Sequence, residues 1–314
     1  MEYAIQTEDL VKRYSKGVTA LDGVSLRIRK GDVVGYLGPN GAGKTTTIKI
    51  LTKLIRPTSG RAYVDGVDVN REPKEVLRNV GALIEVPGVY DYVTPHEMLT
   101  YFGKIHRMSN NKIEQRIKEV LELVKLSDWE HSKPRSFSTG MQRRLVMAIA
   151  IFHEPEIVIL DEPALGLDPQ GIRDIRESIK QFHSQGMTVF LSSHLLGEVA
   201  EVCNHVILLD TGRVIASDSV ENITTKMERK AIMVRFSRPL SREETEKVEA
   251  IPLISSIETT NDIVRIHFDG KPDTSYQILR ELVSLGFDIV SYNPETVGLE
   301  DYYFSVMGDE KGLN

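Results

Sequence analysis

The run VVGYL at 33–37 leads into Gly38-Pro39-Asn40-Gly41-Ala42-Gly43-Lys44-Thr45, and that loop leads into TTTIKILTKLI. The spacing G-x-x-x-x-G-K-[ST] between a strand-like run and helical periodicity constrains the fold more than any other stretch. It calls for a buried strand, a turn built from glycine backbone, and a helix opening at the turn. Glycines let backbone N–H groups curl around phosphate oxygens without side-chain obstruction. The helix offers its positive end to the same anion, and Lys44 adds a full charge. The Thr45 hydroxyl can ligate Mg²⁺. Residues from Gly38 to Thr46 are therefore the candidate cradle for a nucleotide. The competing reading is a glycine-rich turn that holds nothing. Ile48, Leu51, Leu54 and Ile55 predict the buried face of the helix.

The flanking pattern predicts an α/β fold. Residues 3–30 alternate apolar and polar, as antiparallel strands do, and Asp65-Gly66 within RAYVDGVDV predicts a hairpin. Residues 94–133 read as helical: Thr94-Pro95-His96-Glu97 has the form of a capping box, and Ile113, Ile117, Val120, Leu121 and Val124 share one face. IVIL at 157–160 and TVFLS at 188–192 predict buried strands around a helix ending at Gly186. HVILLDTGRVIASD predicts a closing hairpin. Cys203 is expected to pack in a helix after His194. Residues 1–220 thus form one α/β domain with a helical insertion near 94–136. Residues 221–230 read as a linker, and the order βαββαβ follows, suggesting a small ferredoxin-like α+β module within 221–314. LEDYYFSVM at 299–307 predicts a last short helix.

Charge and cysteine usage narrow the function. Residues 228–314 carry 10 Lys+Arg against 16 Asp+Glu, which accounts for the whole net charge of −6. A balanced body with an acidic tail argues against nucleic acid as a partner. One cysteine excludes an internal disulfide framework. The first ten residues lack the form of a signal peptide, and no apolar run approaches the roughly 18 residues of a membrane span. The expected location is cytoplasmic, with any membrane segment supplied by a partner.

A second half-site follows from IVILDEP at 157–163. Asp161 ends a buried strand where it can hold Mg²⁺ through water, and Glu162 can accept a proton from attacking water. Either acid taken alone could be an exposed charge at a strand end.

With these motifs in order, the sequence resembles the ATP-binding subunits of ABC transporters over about residues 4–220. FSTGMQRR at 137–144 stands where that family carries LSGGQ, LDEPALGLDP at 160–169 joins the second phosphate motif to the D-loop, and LSSHLLGEVAEV resembles the switch-histidine region. The resemblance implies a P-loop ABC ATPase domain with an antiparallel β subdomain and a helical insertion. It further implies Tyr14 stacked on adenine and His194 at the γ-phosphate. Ser138 and Gly140 would cover the nucleotide of a second copy, and Asp168 would link two head-to-tail sites. ATP and Mg²⁺ are the implied ligands, a homodimer and an integral membrane transporter subunit the implied partners, and the inner face of the cell membrane the implied location. Taken alone, Tyr14 could be a hairpin ring and His194 a strand-end histidine.

The sequence departs from the family at Phe137, Thr139 and Met141, and again at Ala164 and Leu165. A further departure lies in GALIEVPGVY, where Glu85 replaces the usual glutamine. This resembles the exporter branch for peptide antibiotics, including bacitracin-resistance and lantibiotic-immunity systems. As a Mg²⁺ ligand beside Glu162, Glu85 would titrate as one of a coupled pair. Glu85→Gln should then spare ATP binding and change hydrolysis and its pH dependence. A surface-loop acid is the plainer reading. Val86 to Tyr92 is the implied coupling surface, and the accessory domain is expected to be structural or dimer-stabilising. Two rival functions remain: a soluble ABC ATPase of repair, translation or iron–sulfur assembly, and a nucleotide sensor without turnover.

Overall fold

The computed structural model describes residues 2–15, 17–85, 89–194, 197, 199, 201–226 and 231–294. The chain divides into two compact units, Met1–Val220 and Glu221–Asn314.

In the first unit, β1 (Tyr3–Arg13) and β2 (Thr19–Arg29) pair antiparallel, and β4 (Ser59–Val64) with β5 (Val67–Asp68) extends them into a sheet of order β2-β1-β4-β5. The β4–β5 turn is Asp65-Gly66, with φ of 50° and 76°. Two successive positive φ values match the twist of a two-residue hairpin, the reason Asp-Gly is favoured there. A second sheet combines β3 (Val33–Leu37), β6 (Val80–Leu83), β7 (Ile157–Asp161), β8 (Thr188–Ser193), β9 (His205–Asp210) and β10 (Arg213–Ser219). Its order is β10-β9-β3-β8-β7-β6, parallel except for the β9–β10 hairpin. Every residue of β3, β7 and β8 is buried. That burial explains their unbroken apolar runs, since strands covered on both faces do not alternate.

Helices α1 (Lys44–Leu51), α2 (Pro73–Val76), α3 (Pro95–Ile105), α4 (Asn110–Leu123), α5 (Thr139–Ile151) and α6 (Pro169–Ser184) accompany these sheets. Both halves of the Thr94–Glu97 capping box form at α3. Helix α1 is shorter than its periodicity predicts. It stops at Leu51, Lys53 adopts a φ of 61°, and Leu54 is 62% exposed. Cys203 is buried, in an irregular stretch just before β9 rather than in a helix.

Two buried arginines lock the helical insertion to α5. Arg116 of α4 donates to the carbonyls of Ile151 and Phe152 at the end of α5, at 3.0 and 3.3 Å. Arg144 of α5 donates to those of Val124 and Lys125 just past α4, at 2.9 and 3.1 Å. The last carbonyls of a helix lack intrahelical donors and attract cations. Each helix therefore caps the other.

A histidine pair sits at the same junction. The rings of His106, after α3, and His153, before β7, stack with centroids 4.3 Å apart and planes 10° apart. Burial holds the His153 pKa down to about 4, and the neighbouring His106 adds to the effect. An unfolded histidine titrates near 6.5. Between those values the unfolded chain binds the extra proton, so this stability is present above pH 6.5 and is lost as pH falls toward 4. Urea titrations at pH 7 and 5 should therefore show a smaller pH-dependent loss in His153→Gln than in the wild type. The difference should be on the order of 1–2 kcal/mol, discounted for partial exposure. Equal losses in the two proteins would refute the assignment.

In the second unit, the stretch read as a linker begins as a helix, α7 (Val220–Lys226). Next come β11 (Ala231–Phe236), α8 (Arg242–Glu249), β12 (Ser256–Thr260), β13 (Ile263–His267), α9 (Pro272–Ser284) and β14 (Ile289–Pro294). The strands form an antiparallel sheet of order β12-β13-β11-β14. Ile232, Val234 and Phe236 of β11 pack with Val248, Ile278 and Leu282 of the helices. The segment 299–307 lies outside the described residues.

Candidate phosphate-binding site

The site is built at the C-terminal edge of β3. A Cβ on Gly38 would stand 2.2 Å from the carbonyl oxygen of Leu209 in β9, so only glycine fits against that backbone. Gly43, at the N-cap of α1, has a φ of 112°. Among the described residues, the N–H groups of Gly41, Gly43, Lys44, Thr45 and Thr46 donate to no protein acceptor. The Lys44 side chain is 5% exposed, and its ammonium donates to the carbonyls of Gly38 at 2.7 Å and Pro39 at 3.2 Å. Several unpaired amides, a helix N-terminus and a buried cation suit a polyphosphate.

Parallel strands bring the acidic residues to the same edge. Asp161 ends β7 and is 4% exposed. Its Oδ1 accepts from the Thr45 hydroxyl at 3.1 Å and from the Ser192 hydroxyl at 2.6 Å. Ser192 in turn accepts from the Glu162 N–H at 2.9 Å. This hydroxyl bridge between β7 and β8 was not predicted from sequence. Its only signal is its place two residues before His194. The set of hydroxyl and carboxylate oxygens around Thr45 and Asp161 has the hard-donor chemistry that Mg²⁺ requires.

Glu162 adopts a φ of 47°. Left-handed backbone costs a non-glycine residue about 1–2 kcal/mol, and such strain tends to collect at functional sites. Here it accompanies a carboxylate that reaches two partners. Oε1 lies 3.3 Å from the Lys44 ammonium, and Oε2 lies 2.8 Å from Nδ1 of His194, just past β8. Asn40, Gly41, Lys44, Thr45, Glu162 and His194 all line one open cavity of about 360 Å³.

The other predicted site residues lie apart from this lining. Tyr14 follows β1 and is partly exposed, with the Lys12 ammonium 5.2 Å from its ring centroid. Ser138 is the N-cap of α5 and accepts from the Met141 N–H at 3.2 Å. Gly140 sits beside it, near Gly171 of α6. Asp168 caps α6 by accepting from the Gly171 N–H at 2.8 Å. Glu85 follows β6 with a φ of 60°, is 66% exposed, and forms an ion pair with Lys49 of α1. The expected coupling of Glu85 with Glu162 has no counterpart among the described contacts. Lys49 engages one carboxylate, while Lys44 and His194 engage the other.

Comparison with known proteins bears on this geometry. Residues 21–165 match the family described as ABC transporter. The chain is 34% identical over 309 residues to the uncharacterized ABC transporter ATP-binding protein YcbN of Bacillus subtilis, covering 98% of both chains. It is 33% identical over 315 residues to the bacitracin transport ATP-binding protein BcrA of Bacillus licheniformis, again covering 98% of both. Among solved structures, it resembles a dimeric post-hydrolysis ATP-binding cassette bound to ADP and Pi. The TM-score there is 0.62 and the identity 25%, over 69% of this chain and 98% of the other.

Proposed function

Because this chain belongs to the family of ABC transporter ATP-binding proteins, we propose that it is the ATP-hydrolysing subunit of an exporter whose membrane-spanning part is a separate chain. The observation that carries this reading is the strained Glu162, joined to Lys44 and His194 beside a loop of free amides. The amides of Gly41 to Thr46 and the Lys44 ammonium hold the phosphates, and the Tyr14 ring stacks on the base. Thr45 and Asp161 hold Mg²⁺, with Glu85 as a further candidate ligand. When bound, the metal neutralises charge on the phosphate oxygens. Glu162 takes the proton of the attacking water, and His194 holds that carboxylate in line.

Ser138 and Gly140 lie outside the cavity formed by their own chain. They serve the site of a second copy, so that ATP is clamped between two chains. The dimeric cassette among the solved structures supports this arrangement. Residues 1–220 constitute the nucleotide-binding domain. Residues 221–314 constitute an accessory domain of ferredoxin-like type, a reading supported by the strand order β12-β13-β11-β14. Val86 to Tyr92 is the surface offered to the membrane subunit; residues 86–88 lie outside the described residues, while Tyr90 and Tyr92 are exposed with rings 5.9 Å apart. No helix among the described residues is long and apolar enough to cross a membrane. The working location is the cytoplasmic face of the cell membrane, where the membrane partner would hold the chain. The bacitracin relative favours a drug or antibiotic peptide as cargo.

Two measurements test this reading together: phosphate release by the purified chain with Mg·ATP, and recovery of an integral membrane protein with the tagged chain from its own cells. Hydrolysis without any membrane partner would favour the soluble ATPase. Binding without hydrolysis would favour the sensor.

Glu85 gives a narrower expectation. Glu85→Gln should leave ATP affinity within about threefold, since the carboxylate lies outside the phosphate loop. It should lower kcat by roughly tenfold, within the range of a group that orients water or metal. Equilibrium binding and steady-state kinetics across pH 6–9 check both. An unchanged kcat and pH profile would make Glu85 a surface partner of Lys49 only.

A further inference from the structure

Helix α5 carries a buried charge that the chemistry above does not use. Arg143 is 5% exposed, and burial lowers its pKa from the ordinary guanidinium value, with nearby Asp161 partly opposing the shift. The other two buried arginines each have a carboxylate: Arg116 lies 3.0 Å from Glu119 and Arg144 lies 3.6 Å from Asp174. Arg143 has no ion pair among the described residues. Its Nη2 instead donates to the carbonyl of Leu165 at 3.2 Å, and its Nη1 stands 3.5 Å from the carbonyl of Glu162. Burying a guanidinium with no carboxylate in direct contact is unfavourable even with Asp161 nearby, and an apolar side chain of similar length is often no less stable an occupant. The site therefore holds an arginine for a reason other than stability.

The two carbonyls identify that reason. They are the two ends of one turn, closed by the Leu165 N–H donating to Glu162 at 3.2 Å. The turn starts with the left-handed Glu162 and leads to Asp168, the cap of α6. Arg143 grips it from α5, the same helix that Ser138 opens. We propose that Arg143 is a positioning residue for hydrolysis. It ties the turn carrying Glu162 to the helix carrying Ser138, so that seating of Ser138 on the partner chain's nucleotide sets the aim of its own chain's Glu162. The inference rests on the ATPase reading above and deepens it. Lys44 and the loop amides bind phosphate without this link, so the link governs turnover rather than binding.

The test uses the full chain and the variants Arg143→Met and Arg143→Lys. Arg143→Met should lower kcat by roughly 10- to 100-fold, as misplacement of a catalytic group does, with KM and ATP affinity within about threefold. Its Tm should be unchanged or higher, because a buried charge that Asp161 compensates only in part has been removed. Arg143→Lys should recover part of the rate, since an ammonium can reach one of the two carbonyls. In a Glu162→Gln background, Arg143→Met should cost little more, since both act through one carboxylate. A wild-type kcat in Arg143→Met would overturn the proposal. So would a kcat loss that tracks a fall in Tm and repeats in full in the Glu162→Gln background. If Arg143→Met fails to fold, a wild-type kcat in Arg143→Lys likewise overturns it, and a reduced kcat at unchanged Tm and KM supports it. Absence of hydrolysis in the wild type would remove the ATPase reading itself. Hydrolysis that Glu162→Gln abolishes and Arg143→Met spares would remove the positioning role alone.

Discussion

Glu162→Gln is expected to slow ATP hydrolysis by roughly 10²- to 10⁴-fold, the range for loss of a positioned general base, while nucleotide affinity stays within about threefold. The amide has the same shape and can still accept from His194, so the left-handed turn after Asp161 should survive. It cannot take a proton from water, and it removes the negative charge facing Lys44 at 3.3 Å. Losing that charge should, if anything, make the phosphate loop more receptive to ATP. The variant with Mg·ATP should therefore accumulate as a dimer with two bound nucleotides, detectable by light scattering and nucleotide counting. A phosphate-release rate within threefold of the wild type would remove Glu162 from the chemistry.

Gly38→Ala is expected to be a strongly damaging small substitution in the phosphate loop. Its Cβ would meet the Leu209 carbonyl oxygen at 2.2 Å. That oxygen is backbone of β9, which pairs with β3 through Leu37 and Leu208, so no side chain can swing aside. Relief requires prising β3 from β9 or displacing the loop that Lys44 closes. The expected loss is about 3–5 kcal/mol, in the range where overpacking and strain dominate. The melting temperature should fall by roughly 10 °C or more, and ATP binding should fall with it. Gly41→Ala is the matched control for crowding. Gly41 has a φ of 86° but nothing within 4 Å of a Cβ, so only the backbone cost of about 1–2 kcal/mol applies. Equal destabilisation by the two substitutions would show that conformation, not contact with Leu209, makes Gly38 necessary.

The sequence alone specified what depends on neighbours along the chain. Asp65-Gly66 sets a hairpin because both positions need positive φ. Thr94 and Glu97 cap a helix because they stand three residues apart. VVGYL, a glycine loop and a helix face identify the phosphate cradle for the same local reason. Tertiary structure decided whatever depends on residues far apart in the chain. Thr45 meets Asp161 across 116 positions, and Gly38 is confined by β9. Arg116 and Arg144 cap each other's helices, which no helical period can announce. Helix α1 ends at Leu51 although its apolar spacing runs on to Ile55. Glu85 and Glu162 both belong to the predicted site, yet each is held by different cations. Side-chain type and spacing state which chemistry a segment can perform. Which groups face one another follows from how β3, β8 and β7 pair, because parallel pairing brings their C-terminal ends to one edge and their order sets those ends side by side.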